Sequence, residues 1–255
     1  MARAAVLAIA TAACLPAQTG PVAVIPEGTF EMGRSYTLPD DGLEWVPHTL
    51  RDDRPVHSVW LPEFEIDVHE VTNRQYAEYV ERSGGEVGPP FYWRGSQPPR
   101  ERLDEPVANV TWHDARDYCA WRGMRLPTEA EWEKACRGGL PARKYPWGDA
   151  EIDKTLAHYD SVKGPVPVCS FERNGYGLCD MAGNTWEWTA DIYAKDYYAG
   201  SPSRTPPGAA TGRYKVLRGG SWSDVPKFLT CGHRSFARPA ERSPNIGFRC
   251  ARAVR

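Results

Sequence analysis

The sequence carries no excess of charge of either sign, no long apolar run beyond its first residues, and no internal repeat. Its 31 basic and 33 acidic residues leave a net charge of -2, so it lacks the electrostatic footprint of a nucleic-acid or anionic-membrane binder. No stretch reaches the roughly 20 apolar residues that a spanning helix needs. CxxC and HxxxH spacings are absent, which removes the usual signature of a zinc site. His69-Glu70 is not followed by the spacing of a zinc protease, no glycine-rich phosphate loop opens a helix, and no nucleophile elbow surrounds Ser221. The six histidines, His48, His57, His69, His113, His158 and His233, are scattered, and they read as ordinary surface or core residues. Glycine (23) and proline (23) are spread through the chain and are not gathered into a linker, so one domain is the simpler organisation.

What is present begins with an N-terminal address. Arg3 is followed by an apolar run from Ala4 to Cys14 and small residues up to Ala17. A charged start, short apolar middle and small-residue end describe a secretory signal over residues 1–17, with lipid anchoring through Cys14 as the alternative. The expected location is secreted or periplasmic. Once Cys14 is removed six cysteines remain, an even number that favours disulfides in an exported chain.

Three helix starts share one chemistry: a threonine that caps the first turn, with an acid or glutamine three residues on that reaches back. These are Thr72 with Gln75, Thr111 with Asp114, and Thr128 with Glu131. Each helix is expected to lay one apolar stripe on a core, through Tyr76, Tyr79 and Val80, through Ala115, Tyr118 and Cys119, and through Trp132, Ala135 and Cys136. Gly84, Gly123 and Gly138 suit their ends. Strands are expected at 58–61, 64–68 and 215–217, and almost no helical period follows Gly139. Asp52, Asp53 and Arg54 read as a solvated turn. With ten Trp and twelve Tyr, this describes an α+β chain rich in loops and packed by aromatic side chains.

Seven unusual strings occur in a fixed order: PEGTFEMG from Pro26, RPVHSVWLPEFEIDVHEVTNRQYAEYV from Arg54, PVANVTWHDARDYCAWRGMRLPTEAEWEKACRGG from Pro106, YPWGD from Tyr145, NGYGLCDMAGNTWEW from Asn174, LRGGSW from Leu217 and NIGFRC from Asn245. Together, over residues 24–252, they closely resemble the formylglycine-generating enzyme, or sulfatase-modifying factor, family. The resemblance implies a single domain of the C-type-lectin-like kind, stabilised by calcium. Catalytic members oxidise a cysteine of a client sulfatase to formylglycine, using oxygen and a copper ion held by two cysteine thiolates, ligands that suit soft Cu(I).

Those two cysteines are where the sequence departs. Their positions fall on Asp224 and Gly232, with Cys231 one residue early. A carboxylate and a glycine cannot rebuild a dithiolate site, so copper is not expected. The resemblance also implies a disulfide between Cys119 and Cys250. Cys136 occupies a second family disulfide position whose usual partner is missing; Cys231 is the nearest replacement, which leaves Cys169 with Cys179. The rival is Cys231 as a free redox thiol. For calcium, the resemblance implies ligation by the side chains of Asp180 and Glu187 and the carbonyls of Gly183 and Thr185, an oxygen shell suited to a hard cation; the alternative is that Glu187 pairs with an arginine. A second family calcium site lacks its asparagine-led pair, since His158-Tyr159 stands there.

The expectation is therefore a monomeric, exported, non-catalytic module that presents Ser221, Asp224, Cys231, His233, Arg234 and Arg238 in the former active-site groove to a protein, peptide or glycan. The alternative is a divergent oxidoreductase acting on a sulfatase-like client, or another tailoring enzyme using the same groove.

Overall fold

A computed structural model describes residues 20–37, 52–83 and 88–254; the expected signal segment and Cys14 lie outside them. The chain opens with β1 (Val22–Ile25) and β2 (Gly28–Met32), continues through β3 (His57–Leu61) and β4 (Phe64–Asp67), and then enters α1 (Asn73–Arg82). Helices α2 (Trp112–Trp121) and α3 (Glu129–Arg137) follow. The second half holds β5 (Trp186–Ile192), β6 (Lys215–Arg218), β7 (Ser235–Ala237), β8 (Ile246–Gly247) and β9 (Ala251–Ala253), with only short 3-10 turns between them.

All three helices start as their capping chemistry predicts. Each N-cap threonine accepts from the backbone of the residue three positions on, and that residue's side chain returns to the threonine's amide. Gly138 ends α3 in the left-handed conformation, at φ 57°, and a side chain there would meet the backbone of Gly175 at 2.8 Å. Gly123 follows the C-cap of α2 with φ 71°, whereas Gly84 lies outside the described residues.

Helix α3 departs from the single-stripe expectation: every residue from Glu129 to Arg137 is buried. The physical reason is that its charged side chains have partners inside. Glu133 accepts from Arg137 at 2.5 Å and from Arg218, Glu129 accepts from Arg234, and Lys134 donates to the carbonyls of Pro26 and Gly28 at 2.7 and 2.9 Å. Paired this way, charges are tolerated where single ones would be prohibitive.

The strands form three small sheets, ordered β1-β4-β9, β2-β3 and β7-β6-β5-β8. All pairings are antiparallel except β5 with β8, which is parallel. One aromatic core joins α1 and α2 to β5 and β8: Tyr76 stacks on Tyr118, and Phe248 meets both edge-on. A second core lies under α3, where Trp132 packs among residues of β1 to β4. Three disulfides tie the layers together: Cys119–Cys250, Cys136–Cys231 and Cys169–Cys179. The turn at Asp52 and Asp53 is buried, not solvated. Asp53 pairs with Arg34 at 2.6 Å, Asp52 accepts from Tyr193 at 2.7 Å, and the Asp52 carbonyl accepts from Arg234.

Candidate functional site

Strand β6 runs directly into Gly219-Gly220-Ser221. Both glycines have positive φ, 99° and 74°, and a Cβ on Gly220 would press on Leu229 at 2.9 Å. The turn drives Ser221 inward. Its hydroxyl donates to the Asp224 carboxylate, lies 3.1 Å from the hydroxyl of Ser223, and accepts from Asn245 Nδ2 at 3.3 Å. The Trp186 side chain donates to Asp224 as well, and burial pushes that carboxyl above the usual range while the Ser221 and Trp186 bonds draw it down. The Asp224 carboxylate is thus committed to the protein's own donors.

The other groove candidates fare differently. The His233 ring packs against Phe228 and Trp186, with centroids 5.0 and 5.9 Å away. Burial, and then the positive charges of Arg218, Arg34 and Lys227, push its pKa down to about 3, which keeps the ring neutral at physiological pH. Cys231 is fully buried in its disulfide with Cys136, so no free thiol stands there. Arg234 is not presented in the groove as expected. It is buried and holds Glu129 through bonds of 2.7 and 3.0 Å, because an unpartnered Glu129 in α3 would be a costly buried charge. Arg238 is exposed. At the second former thiolate position, Gly232 leaves little room: a Cβ would sit 3.3 Å from the backbone of Gly33 and Arg34. Asp224, Gly232 and a disulfide-bound Cys231 do not fit a copper dithiolate.

The acidic turn lies beneath. Asp180, Gly183 and Asn184 have φ of 56°, 87° and 58°, folding the chain tightly before β5. A Cβ on Gly183 would lie 2.3 Å from the carbonyl of His158, so glycine is required. Glu187 is fully buried and does pair with an arginine: Arg249 donates to both its oxygens at 2.7 Å, and Trp132 Nε1 adds a third bond at 2.9 Å. Asp180 accepts from the Cys169 amide at 2.6 Å, and its carboxyl group lies against that of Glu70. Glu70, which sequence reasoning missed, is fully buried beside them; one oxygen faces the Thr185 hydroxyl at 3.4 Å and the other, Oε2, has no hydrogen-bond partner. Burial, with the charges of Asp180 and Glu187, raises the Glu70 carboxyl well above its usual range, against the pull of Arg249. Three carboxyl groups thus surround one guanidinium, with an orphaned oxygen among them. Clustered carboxylate oxygens are the ligand type a hard divalent cation takes; here both Glu187 oxygens already accept from Arg249, and among the described residues the group of three whose ligand atoms converge within 4.8 Å is Cys169, Cys179 and Asp180.

At the second family position the Lys154 ammonium donates to the carbonyls of Tyr159 and Asp160 and lies 3.8 Å from the Tyr159 ring centroid.

Comparison with known proteins follows the same outline. The family described as "Sulfatase-modifying factor enzyme 1-like domain" matches residues 11–254. A protein of Chlamydia caviae named serine/threonine-protein kinase pkn1 is 41% identical over 221 residues, covering 80% of this chain and 35% of that protein; the chain thus spans about a third of the length of that relative. The formylglycine-generating enzyme of Streptomyces coelicolor is 34% identical over 284 residues, covering 89% of this chain and 87% of the enzyme. Among solved structures, PvdO from Pseudomonas aeruginosa superposes with a TM-score of 0.74 at 28% identity, covering 95% of this chain and all of that one.

Proposed function

The chain belongs to the sulfatase-modifying factor enzyme 1-like domain family, and from that premise we propose that it is an exported, calcium-stabilised module that binds a protein, peptide or glycan and lacks ordinary formylglycine-generating activity. The observation that carries this reading is the fate of the two thiolate positions. Asp224 is tied to Ser221 and Trp186, and the one cysteine nearby, Cys231, is spent on Cys136.

The rim of the same groove supports a binding role. The loops at 160–164 and 222–227 are joined by backbone bonds from Asp160 and Ser161 to the carbonyls of Asp224 and Trp222, at 2.9 and 2.8 Å. They carry Val162 and Val225, 95% and 44% exposed. Apolar side chains held out on a rigid double loop beside exposed, polar Ser223 suit a partner surface.

Calcium is supported by the surplus of buried carboxyl groups and the orphaned Glu70 oxygen; Asp180, Glu187 and the carbonyls of Gly183 and Thr185 form the proposed shell, with Glu70 beside it. Export is supported by the three disulfides and the apolar run before Cys14, and the proposed working form is a monomer. Among the described residues no helix is long and apolar enough to cross a membrane. Incubation with copper, oxygen and a cysteine-containing sulfatase peptide is expected to leave the peptide unchanged; turnover to formylglycine would sink the reading in favour of a divergent oxidoreductase.

A further inference from the structure

The third disulfide sits against the acidic turn in a way the other two do not. Cys179 is buried and anchored: its amide donates to the Val68 carbonyl at 2.8 Å, and its own carbonyl accepts from Arg249 at 3.1 Å. Cys169 is half-buried at the surface, in the left-handed conformation at φ 59°, with its amide on Asp180 Oδ2 at 2.6 Å. The two sulfur atoms and an Asp180 carboxylate oxygen all lie within 4.8 Å of one another. The N–H that orients Asp180 is thus held from two sides, by the disulfide and by the preceding segment, where Val168 donates to the Asp104 carbonyl at 2.9 Å and Val166 to Asn184 at 3.0 Å.

The loop between the two cysteines also forms a wall. A surface cavity of about 350 Å³ is lined by Trp147, Leu156, Glu172, Arg173 and Asn174 among others. A small inner void of about 20 Å³ shares Trp147, Leu156, Glu172 and Asn174 with it, adds Phe171 and Leu178, and ends at Asp180, Met181 and Ala182. That void is large enough for about one water. The far half of the loop has an anchor of its own, because Asn174 donates to the carbonyls of Ala135 and Cys136 at 2.8 and 3.2 Å and accepts from the amides of Tyr176 and Leu178. The near half, from Ser170 to Arg173, is tied at its Cys169 end, where the disulfide joins the Ser170 hydroxyl's bond to the Pro167 carbonyl at 2.5 Å.

We propose that Cys169–Cys179 is a redox latch on the acidic cation site. It rests on the reading that Asp180 is a calcium ligand. When oxidised, the bond fixes the Cys169 N–H on Asp180 and closes the wall formed by Phe171 and Glu172. A dithiol reductant attacks the more exposed sulfur, that of Cys169, passes through a mixed disulfide and leaves as its own disulfide; two electrons and two protons convert the S–S bond into two thiols. The near half of the loop is then released, Asp180 loses its oriented donor, and the void opens to the larger cavity. The latch is selective because Cys119, Cys250, Cys136 and Cys231 are all fully buried.

The test is a calcium titration by calorimetry on the three-disulfide protein, on the same protein after mild dithiothreitol treatment, and on Cys169→Ser/Cys179→Ser. Alkylation and mass spectrometry verify that only Cys169 and Cys179 are reduced. The oxidised protein is expected to bind calcium, and the reduced protein and the double variant to bind on the order of ten- to a hundredfold more weakly, as when the support of a metal ligand is removed. If the double variant does not fold, the reduced native protein decides. Equal affinity with and without the disulfide overturns the latch and leaves the calcium reading standing. Failure of the oxidised protein to bind calcium overturns the reading and the latch with it.

Discussion

Ser221 donates its hydroxyl proton to the carboxylate of Asp224, three residues later. The same carboxylate accepts from the Trp186 side chain, and the Asp224 amide returns to the Ser221 carbonyl at 3.1 Å. Ser221 and Asp224 thus close a hydrogen-bonded turn directly after the Gly219-Gly220 pair.

Asp224→Ala is therefore expected to destabilise the fold. The substitution strands a buried hydroxyl and an indole N–H, and orphaned buried donors cost about 1–3 kcal/mol. A reduced urea midpoint with unchanged slope would match; a variant as stable as the parent would mean that the carboxylate faces solvent and is available to a ligand.

Arg234→Met tests the inward turn of the second groove residue. Glu129 would keep the 3.1 Å bond from Tyr198 and a longer 3.8 Å pairing with Arg218 but lose the guanidinium bonded to both its oxygens, a change worth up to about 3–5 kcal/mol. Replacing Glu129 with Gln in the same chain is expected to recover part of that loss, since the stranded charge is removed. Loss of partner binding without loss of stability would instead return Arg234 to the groove as a ligand contact.

Much of this architecture is legible before any coordinates, and the parts that are not have physical reasons. Thr72, Thr111 and Thr128 announce their helices because capping is local chemistry. Strand β5 hides because Trp186 to Thr189 are all buried, which erases the alternation that marks a half-exposed strand. The pairs Cys119–Cys250, Cys136–Cys231 and Cys169–Cys179 follow from resemblance and remainder, as the structure shows. Glu70 and Arg249 escape notice because nothing local marks an acid or an arginine as fully buried; each becomes meaningful only through the other, brought together from opposite ends of the chain. Asp52 and Asp53 fail for the same reason, their partners being Tyr193, Arg234 and Arg34.

Asp191 sets a pH dependence. It is buried, accepts from the Glu129 amide at 2.7 Å, and is pushed up to about 7 by burial and then by the charge of Glu129. An acid whose folded pKa exceeds its unfolded value binds protons more tightly when folded, so its contribution falls as pH rises from about 4 to about 7 and is flat above. The full effect is of order 4 kcal/mol at most. His233, pushed down to about 3, slopes the other way, because the unfolded ring takes a proton below about 6.5 and the folded one does not. Asp191→Asn is therefore expected to gain stability relative to the parent as pH is raised from 4 to 7, and His233→Gln to gain as pH is lowered over that range. Parallel unfolding curves for parent and variants across it would refute both assignments.

Removal of calcium is the most direct probe of the acidic turn. Asp180, Glu187 and Glu70 share one guanidinium, that of Arg249, and Glu70 Oε2 has no partner. Without a cation the cluster must either keep uncompensated charge in a dry site or take up a proton, and both weaken the fold relative to the loaded state. A ligand present at about a hundred times its dissociation constant stabilises by about 2.7 kcal/mol, which for a domain of this size is roughly 5–10 °C in Tm. Chelation is therefore expected to lower Tm by that amount, and excess calcium to restore it. Asp180→Asn should start lower and respond little to either treatment, because it removes a ligand charge while an amide oxygen can still accept from Cys169 N–H. A Tm that ignores both chelator and calcium in the parent would mean that Arg249 alone balances the cluster, and the metal would then have no part in this fold.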